Sequence, residues 1–152
     1  MKFAAIIILF HPERQILLNN IRLLEAAGWQ VIVVDNSPLS HQDWLPPSVE
    51  FRHCPENAGI AHAQNIGLLL AKKQGHDYAM LLDQDSQLSE QLLQTVKLRV
   101  VEAQTHYPNL AAYGPSIVSE FDGQVVRAKV QRAVPDEHGF LHSRQIIASG
   151  KV

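Results

Sequence analysis

Apolar and polar positions alternate in long blocks along the first two thirds of the chain. Phe3–Phe10 is a continuous apolar run and Trp29–Val34 a second one, which is typical of strands covered on both faces. Between the two runs, apolar residues recur at helical spacing, from a first turn that tolerates Pro12 to a stop at Gly28. The pattern therefore predicts a buried strand, a helix and a second buried strand.

The same alternation continues to about residue 104. It predicts a loop through Leu45-Pro46-Pro47, a strand Val49–His53, a helix Ile60–Lys73 stopped by Gly75, a strand Tyr78–Leu82 and a helix capped by Ser89. The pattern then becomes β-rich and predicts strands Ala111–Val118, Gln124–Val130 and Phe140–Ala148, with turns at Asp122-Gly123 and Asp136–Gly139. Helical crossovers require parallel pairing of the early strands. We therefore predict one domain over residues 1–152 with an α/β fold, a doubly wound and mostly parallel sheet followed by a β-rich part.

Composition and charge exclude several classes of protein. The chain has 152 residues, of which 46% are hydrophobic and 18% charged, so a disordered chain is excluded. A net charge of −2 without a run of like charge excludes the usual duplex nucleic-acid binder and polybasic membrane binder. Cys54 is the single cysteine and cannot form an internal disulfide, which fits a reducing compartment. The first apolar run lacks a cleavage site, so we expect a cytoplasmic protein rather than a secreted one.

Candidate chemistry gathers where the predicted strands end, and ligands of open parallel sheets bind outside those carboxyl ends. Asp83 and Asp85 are the sharpest feature, because both carboxylates can point to one side of the chain after a buried strand. Two carboxylates that close together favour a hard cation such as Mg²⁺ or Mn²⁺, completed by substrate phosphates. A solvated turn is the alternative for this pair.

Asp35 and Asn36 follow the second strand. A carboxylate at that position can accept a hydrogen bond from a base imide or a ribose hydroxyl, or it can make an Asx turn that leads into Pro38. Farther along, Gly59 permits close backbone approach, and the amides of Asn57 and Asn65 can bond a sugar or brace a loop. None of these residues decides a function by itself.

Together, three segments in this order carry a resemblance: Val33-Val34-Asp35-Asn36-Ser37, then Asn57-Ala58-Gly59-Ile60-Ala61 with Asn65-Ile66-Gly67, then Leu81-Leu82-Asp83-Gln84-Asp85-Ser86. They resemble the donor-binding half of family 2 glycosyltransferases, which have the GT-A fold. The Asp-Gln-Asp-Ser variant is most similar to the bacterial rhamnosyltransferase branch. The resemblance spans essentially the whole chain.

The resemblance implies a role for each matched residue. Asp35 would contact the nucleotide base, flanked by His11 and Pro12, while Asp83 would lie near the ribose and Asp85 would bind the Mn²⁺ or Mg²⁺ that bridges the diphosphate. The remaining members of the implied nucleotide-sugar site are Asn36, Asn57, Gly59 and Asn65. The implied reaction transfers a sugar to an acceptor hydroxyl with inversion. The donor would be dTDP-rhamnose, or alternatively a UDP-sugar, and the acceptor a cell-surface glycan or a lipid-linked sugar at the inner face of the membrane.

A general base has no candidate in the sequence. The late acids Glu120, Asp122, Asp136 and Glu137 lie in hairpin or turn contexts and do not match the acidic motif of the family. We therefore expect a chain that ends before the acceptor half, with an uncovered apolar face that favours a homo-oligomer.

Two other functions remain open at this point. Leu81–Ser86 also resembles the nucleophile motif of haloacid-dehalogenase-like phosphatases, although that family carries the motif on its first strand and three predicted strands precede it here. A non-catalytic α/β nucleotide-binding fragment is the other alternative.

Overall fold

A computed structural model describes the backbone of residues 1–108, 112–114, 117–118, 125–126, 130–135 and 141–146, and the side chains of residues 1–108 and 112–114. The chain forms two compact units, Met1–His106 and Tyr107–Val152. No helix in the described ranges is long and apolar enough to cross a membrane.

The first unit is a parallel sheet with helices on both faces. Its elements in chain order are β1 (Phe3–Leu9), α1 (Arg14–Ala26), β2 (Gln30–Asp35), a short 3-10 helix (Gln42–Trp44), β3 (Glu50–His53), α2 (Ile60–Lys73), β4 (Tyr78–Asp83) and α3 (Glu90–His106). The strand order is β3-β2-β1-β4, and every neighbouring pair is parallel. The order reverses between β1 and β4, which is the kind of switch point where open α/β sheets bind ligands.

The register of the sheet brings the ends of the strands to one edge. Asp35 at the end of β2 pairs with Leu9 on β1 and with His53 on β3. On the other side of β1, Ile8 pairs with Asp83 at the end of β4. All four carboxyl ends therefore lie side by side along one edge, as the sequence pattern predicts.

Strand β1 is buried along its whole length, because each face packs on a different helix layer. Ala5, Ile7 and Leu9 belong to the cluster that contains Leu17 of α1 and Leu93 of α3. The alternate residues of β1, such as Ile6, belong to the cluster that contains Ala63 and Ala71 of α2. A Cβ at Gly67 of α2 would overlap Cγ2 of Ile6, so the glycine permits the close approach of this helix to the sheet.

Glycines end two helices as predicted. Gly28 follows α1 with φ +73°, and its N–H donates to Glu25 O while that of Trp29 donates to Leu24 O. Gly75 has the same φ and ends α2 through an equivalent pair of backbone bonds. Both are Schellman motifs, in which glycine adopts the left-handed conformation without steric cost.

The helix starts agree less closely with the pattern. The prediction that Pro12 lies in the first turn of a helix is wrong, because α1 begins at Arg14 and its N-cap Glu13 is extended. Ser89 caps α3 as predicted, with its Oγ accepting from Leu92 N at 3.2 Å. The strand ends differ from the predicted ones by a residue, and β2 and β4 extend to include Asp35 and Asp83.

The described residues of the second unit include four short strands, which pair in two antiparallel sheets. These are β5 (Ile117–Val118) with β6 (Val125–Val126), and β7 (Val130–Pro135) with β8 (Leu141–Ile146). The predicted strand Ala111–Val118 is too long, because residues 112–114 have no regular structure. The predicted strand Gln124–Val130 contains β6 and only the first residue of β7, so the rest of β7, as far as Pro135, was not predicted. The turns predicted at Asp122-Gly123 and Asp136–Gly139 lie outside the described residues.

Candidate functional site

The loops at the carboxyl edge of the sheet are joined by hydrogen bonds into one framework, with Ser37 at its centre. Its side-chain Oγ accepts from His11 N at 3.0 Å, which links the loops after β1 and β2. The ring Nε2 of His53 donates to Ser37 O at 2.9 Å, which links the end of β3 to the same residue. Ser37 is buried, so these bonds are shielded from competing water.

Asp35 is completely buried beneath this framework. Its Oδ1 accepts from Ser37 N at 2.9 Å, which is the Asx turn predicted as one of the two alternatives. Its Oδ2 accepts from both the backbone N–H and the ring Nδ1 of His41, each at 2.9 Å. Both oxygens of the carboxylate are therefore bonded to the loop that follows β2.

The surroundings of Asp35 act on its pKa in opposite directions. Burial raises the pKa of Asp35, whereas the hydrogen bonds donated by Ser37 and His41 lower it, and the net pKa lies below the ordinary value of 3.8. The hydrogen bonds stabilise the charged form more than burial destabilises it. The ring of His41 packs edge-on against Trp44, with ring centroids 4.3 Å apart, and the guanidinium of Arg14 lies 5.7 Å from the Trp44 ring.

The loop before α2 lies beside Asn36. The Nδ2 of Asn36 donates to Gly59 O at 3.4 Å, and its buried Oδ1 has no hydrogen-bond partner within the described residues. Gly59 is the N-cap of α2 with φ +92°, a conformation that favours glycine. Helix α2 has no side-chain cap and no acidic residue in its first turn, so its positive end is not neutralised from within.

Two residues of the site have unusual backbone conformations. His11 has φ +50° and Asn57 has φ +44°, and they are the only non-glycine residues with positive φ in the described parts of the chain. Asparagine and histidine adopt this conformation more readily than most residues, but it is still uncommon. Such strain concentrates at functional sites, and here both residues lie in loops at the carboxyl edge.

The two aspartates of the turn after β4 are exposed, in contrast to the buried Asp35. Asp83 ends the strand, Ser86 N donates to Asp83 O at 3.1 Å and closes the turn, and Asp85 lies within it. The side chains of Asp83 and Asp85 are exposed. Within the part of the chain that the structure describes, neither carboxylate accepts a hydrogen bond or forms an ion pair. Asp85 also borders an open surface cleft of about 410 Å³ beside α1.

Two amide side chains hold this turn. Phe10 N donates to Oε1 of Gln84 at 2.7 Å, and Nε2 of Gln84 donates to Phe10 O at 2.9 Å. From α1, Nδ2 of the buried Asn20 donates to Ser86 O at 2.8 Å. The turn is thus tied both to the neighbouring strand and to a helix.

The donor set fits a cation that takes only part of its ligands from protein. No group of three or more His, Cys, Asp and Glu side chains that could hold a metal ion occurs in the described residues. Two exposed carboxylates on one turn match the way Mg²⁺ is usually held, by one or two carboxylates with water and substrate phosphates. Asp85 and Asp83 are the residues that would hold such an ion.

Most of the residues predicted from the sequence meet at this edge. His11 and Pro12 follow β1, Asp35 and Asn36 end and follow β2, Asn57 and Gly59 precede α2, and Asp83 and Asp85 end and follow β4. Asn65 is the exception, because it lies more than one turn inside α2 and its side chain is exposed. The late acids Glu120, Asp122, Asp136 and Glu137 lie outside the described residues, so no general base is assigned.

Sequence reasoning missed several residues that build the site. Ser37, His41, Gln84 and Asn20 each make the hydrogen bonds described above, and Phe10 presents a ring that is 47% exposed beside that of His11. Ser37 could have been found from its place two residues after Asp35, which is the spacing of an Asx turn. Gln84 and Asn20 bond residues far apart in the chain, and His41 bonds Asp35 across a loop of irregular structure, so no local pattern indicates these three.

The family model of glycosyl transferase family 2 matches residues 5–132, from within β1 to within β7. The chain belongs to glycosyl transferase family 2. No curated protein and no solved structure matches it.

The family agrees with the site and with the fold. A parallel four-stranded sheet between helices is consistent with the nucleotide-binding half of the GT-A fold, so the predicted fold class is confirmed. Membership makes the chain a glycosyltransferase by class and implies a nucleotide-sugar donor and an acceptor. The edge that carries Asp83 and Asp85 is therefore the candidate donor site of this glycosyltransferase.

Proposed function

We propose that this glycosyltransferase binds the diphosphate of a nucleotide-sugar at the turn Asp83–Ser86, with a divalent cation on Asp85, and transfers the sugar to an acceptor hydroxyl with inversion. The single observation that carries the proposal is the exposed pair Asp83 and Asp85, at the switch point of the sheet in a member of this family. The pair has no hydrogen-bond partners among the described residues, so its oxygens are available to a cation and to a ligand.

The N-terminal end of helix α2 supports an anionic ligand at this edge. It begins after Gly59 and has neither a side-chain cap nor an acidic residue in its first turn, in contrast to α3, which has Ser89 and Glu90. The N-terminus of a helix carries partial positive charge and unpaired N–H groups that suit phosphate. This helix end offers positive charge in a chain of net charge −2 that has no basic run.

The cation would be Mn²⁺ or Mg²⁺, and bound there it would stabilise the negative charge that develops on the departing diphosphate. Asp85 holds this position, and Asp83 lies on the ribose side of it. The acceptor oxygen attacks the anomeric carbon from the face opposite to the diphosphate, which gives inversion.

The base is proposed to bind over the loops after β1 and β2, flanked by His11 and Pro12. Contact with Asp35 requires the loop that contains His41 to exchange one of its hydrogen bonds for one from the base, because Asp35 is buried in the present arrangement. Asn36 and Gly59 are proposed to shape the donor pocket beside these loops, where Nδ2 of Asn36 donates to Gly59 O.

The donor is proposed to be dTDP-rhamnose, on the strength of the Asp-Gln-Asp-Ser segment at residues 83–86, with a UDP-sugar as the alternative. A growing surface glycan or a lipid-linked sugar at the cytoplasmic face of a membrane is the proposed acceptor. Since the distinction between the donors depends on the base and on the sugar, both must be varied in the test.

Calorimetric titration tests the proposal. UDP and dTDP are each titrated into the folded protein with Mn²⁺ and again with EDTA, and dTDP-rhamnose and a UDP-sugar follow. We expect binding that requires the metal and is tighter for the dTDP series. Absence of binding by folded protein would contradict the function, whereas tighter binding of the UDP series would change only the donor.

A further inference from the structure

We propose that Gln84 is a positioning residue that, together with Asn20, fixes the turn Asp83–Ser86 in the conformation that receives the cation. The metal-binding part of this inference rests on the proposed function. The structural part, that two amide side chains hold the turn, does not.

Gln84 continues the sheet beyond its last backbone pair. The β1–β4 ladder ends where Ile8 pairs with Asp83. One step farther, the side-chain amide of Gln84 accepts from Phe10 N at 2.7 Å and donates to Phe10 O at 2.9 Å. The oxygen and one N–H of a primary amide lie in one plane, as the acceptor and donor of the backbone do, so the Gln84 side chain replaces a rung of the ladder. The turn is thereby tied to β1 although its own backbone has left the strand.

Asn20 holds the other end of the same turn. It is buried on α1, and its Nδ2 donates to Ser86 O at 2.8 Å. Gln84 and Ser86 are the two neighbours of Asp85 in the chain, so Asp85 is anchored on both sides. The two anchors come from different parts of the fold, Phe10 directly after β1 and Asn20 on α1, which leaves the turn little freedom to rotate.

Fixing the turn has a consequence for binding. Two carboxylates so close in the chain repel each other, and a free turn would separate them before the cation arrives. A turn held by its neighbours keeps them in place, so the cation does not have to order the turn. Groups that orient metal ligands typically change metal affinity about 10- to 100-fold when they are removed.

The test compares Gln84→Met with Gln94→Met. Methionine keeps the length of glutamine but can make neither bond to Phe10, and Gln94 is exposed on α3 with no side-chain hydrogen bond among the described residues. We expect Gln84→Met to weaken nucleotide binding about tenfold in Mn²⁺ and to leave binding in EDTA unchanged. Gln94→Met is expected to match wild type in both. A purely structural role would alter binding in both conditions or in neither.

A second measurement works without any nucleotide. In Gln84→Met the Phe10 amide loses its acceptor, so we expect faster hydrogen exchange at Phe10 and lower backbone order parameters at residues 83–86. Asn20→Leu, which removes the donor to Ser86, should lower the same order parameters while Phe10 keeps its slow exchange. If Gln84→Met does not fold, Gln84→Asn replaces it, because asparagine is one methylene too short to bridge to Phe10.

The outcomes are distinguishable. Failure of wild type to bind any nucleotide overturns the proposed function, and the exchange data then decide the structural part alone. Unchanged exchange at Phe10 in Gln84→Met overturns the anchoring. Changed exchange with unchanged metal-dependent affinity overturns the link between the anchors and the cation.

Discussion

Two aspartates at the carboxyl edge of one sheet, Asp35 and Asp83, both end a strand, and they differ in what surrounds them. Asp35 is the last residue of β2, which lies between two other strands of the sheet. Its oxygens accept hydrogen bonds from Ser37 and His41 in the following loop. Asp83 ends β4, which is the last strand of this sheet in the described residues, and it is exposed together with Asp85. The same residue type at the same point of a strand thus stabilises the framework in one case and is available to a ligand in the other.

The role of each carboxylate is therefore decided by its hydrogen-bond partners rather than by its position on the sheet. Removal of a buried carboxylate leaves its hydrogen-bond donors without an acceptor, so its substitution should lower the free energy of unfolding. An exposed carboxylate stabilises the fold little, so its loss must appear in binding.

The largest effect on stability is expected from Asp35→Ala. The change leaves the N–H groups of Ser37 and His41 buried without an acceptor, and we expect the free energy of unfolding to fall by about 3 kcal/mol. Asp85→Ala and Asp43→Ala, both at exposed positions, should each change it by less than about 0.5 kcal/mol. Urea denaturation measures all three, and equal losses for Asp35→Ala and Asp85→Ala would remove the distinction between the aspartates.

The second largest effect on stability is expected in the segment Asn65-Ile66-Gly67, where Gly67 is buried and Asn65 is exposed. Gly67→Ala places a methyl group against Ile6 of β1, and overpacking of this kind costs about 1–3 kcal/mol. Asn65→Ala, two residues away on the exposed side of α2, should cost less than about 0.5 kcal/mol. Thermal unfolding of the two variants decides this, and a greater loss for Asn65→Ala would mean that the glycine does not set the distance between helix and sheet.

A smaller effect is expected in the dependence of stability on pH. Because the pKa of Asp35 is lowered in the folded protein, its contribution to stability is complete above the unfolded value of 3.8 and is lost as the pH falls below it. Wild type should therefore lose stability more steeply below about pH 4 than Asp35→Asn does. Asp43→Asn serves as the control, and denaturation curves between pH 2 and pH 6 that are parallel for wild type and Asp35→Asn would contradict the lowered pKa.

Local patterns predicted most of the fold. Continuous apolar runs located β1, β2 and β4 to within a residue. For β1 and β2 the physical reason is that strands covered by helices on both faces leave no polar positions inside them. Gly28 and Gly75 marked the helix ends because the Schellman motif requires a left-handed residue. The start of α1 was missed because a proline is also tolerated in the extended segment before a helix, so Pro12 could not identify the first turn.

The sequence pattern predicted where the site lies but not the hydrogen bonds that build it. The polar residues after each strand indicated the edge, since parallel strands share it. Oδ2 of Asp35 accepts its hydrogen bonds from His41, which lies six residues farther along the chain. The loop between the two residues has no periodic pattern that would indicate this contact. The bonds from Gln84 to Phe10 and from Asn20 to Ser86 join residues separated by 74 and 66 positions. Only the assembled sheet brings such pairs together.

The most direct test of the divided roles is calorimetric titration of dTDP into wild type and Asp85→Asn, each in saturating Mn²⁺ and in EDTA. Wild type should bind at least about tenfold more tightly with the metal, whereas Asp85→Asn should bind equally in both conditions because the cation has lost its ligand. An Asp85→Asn protein that keeps the full metal dependence would contradict the account.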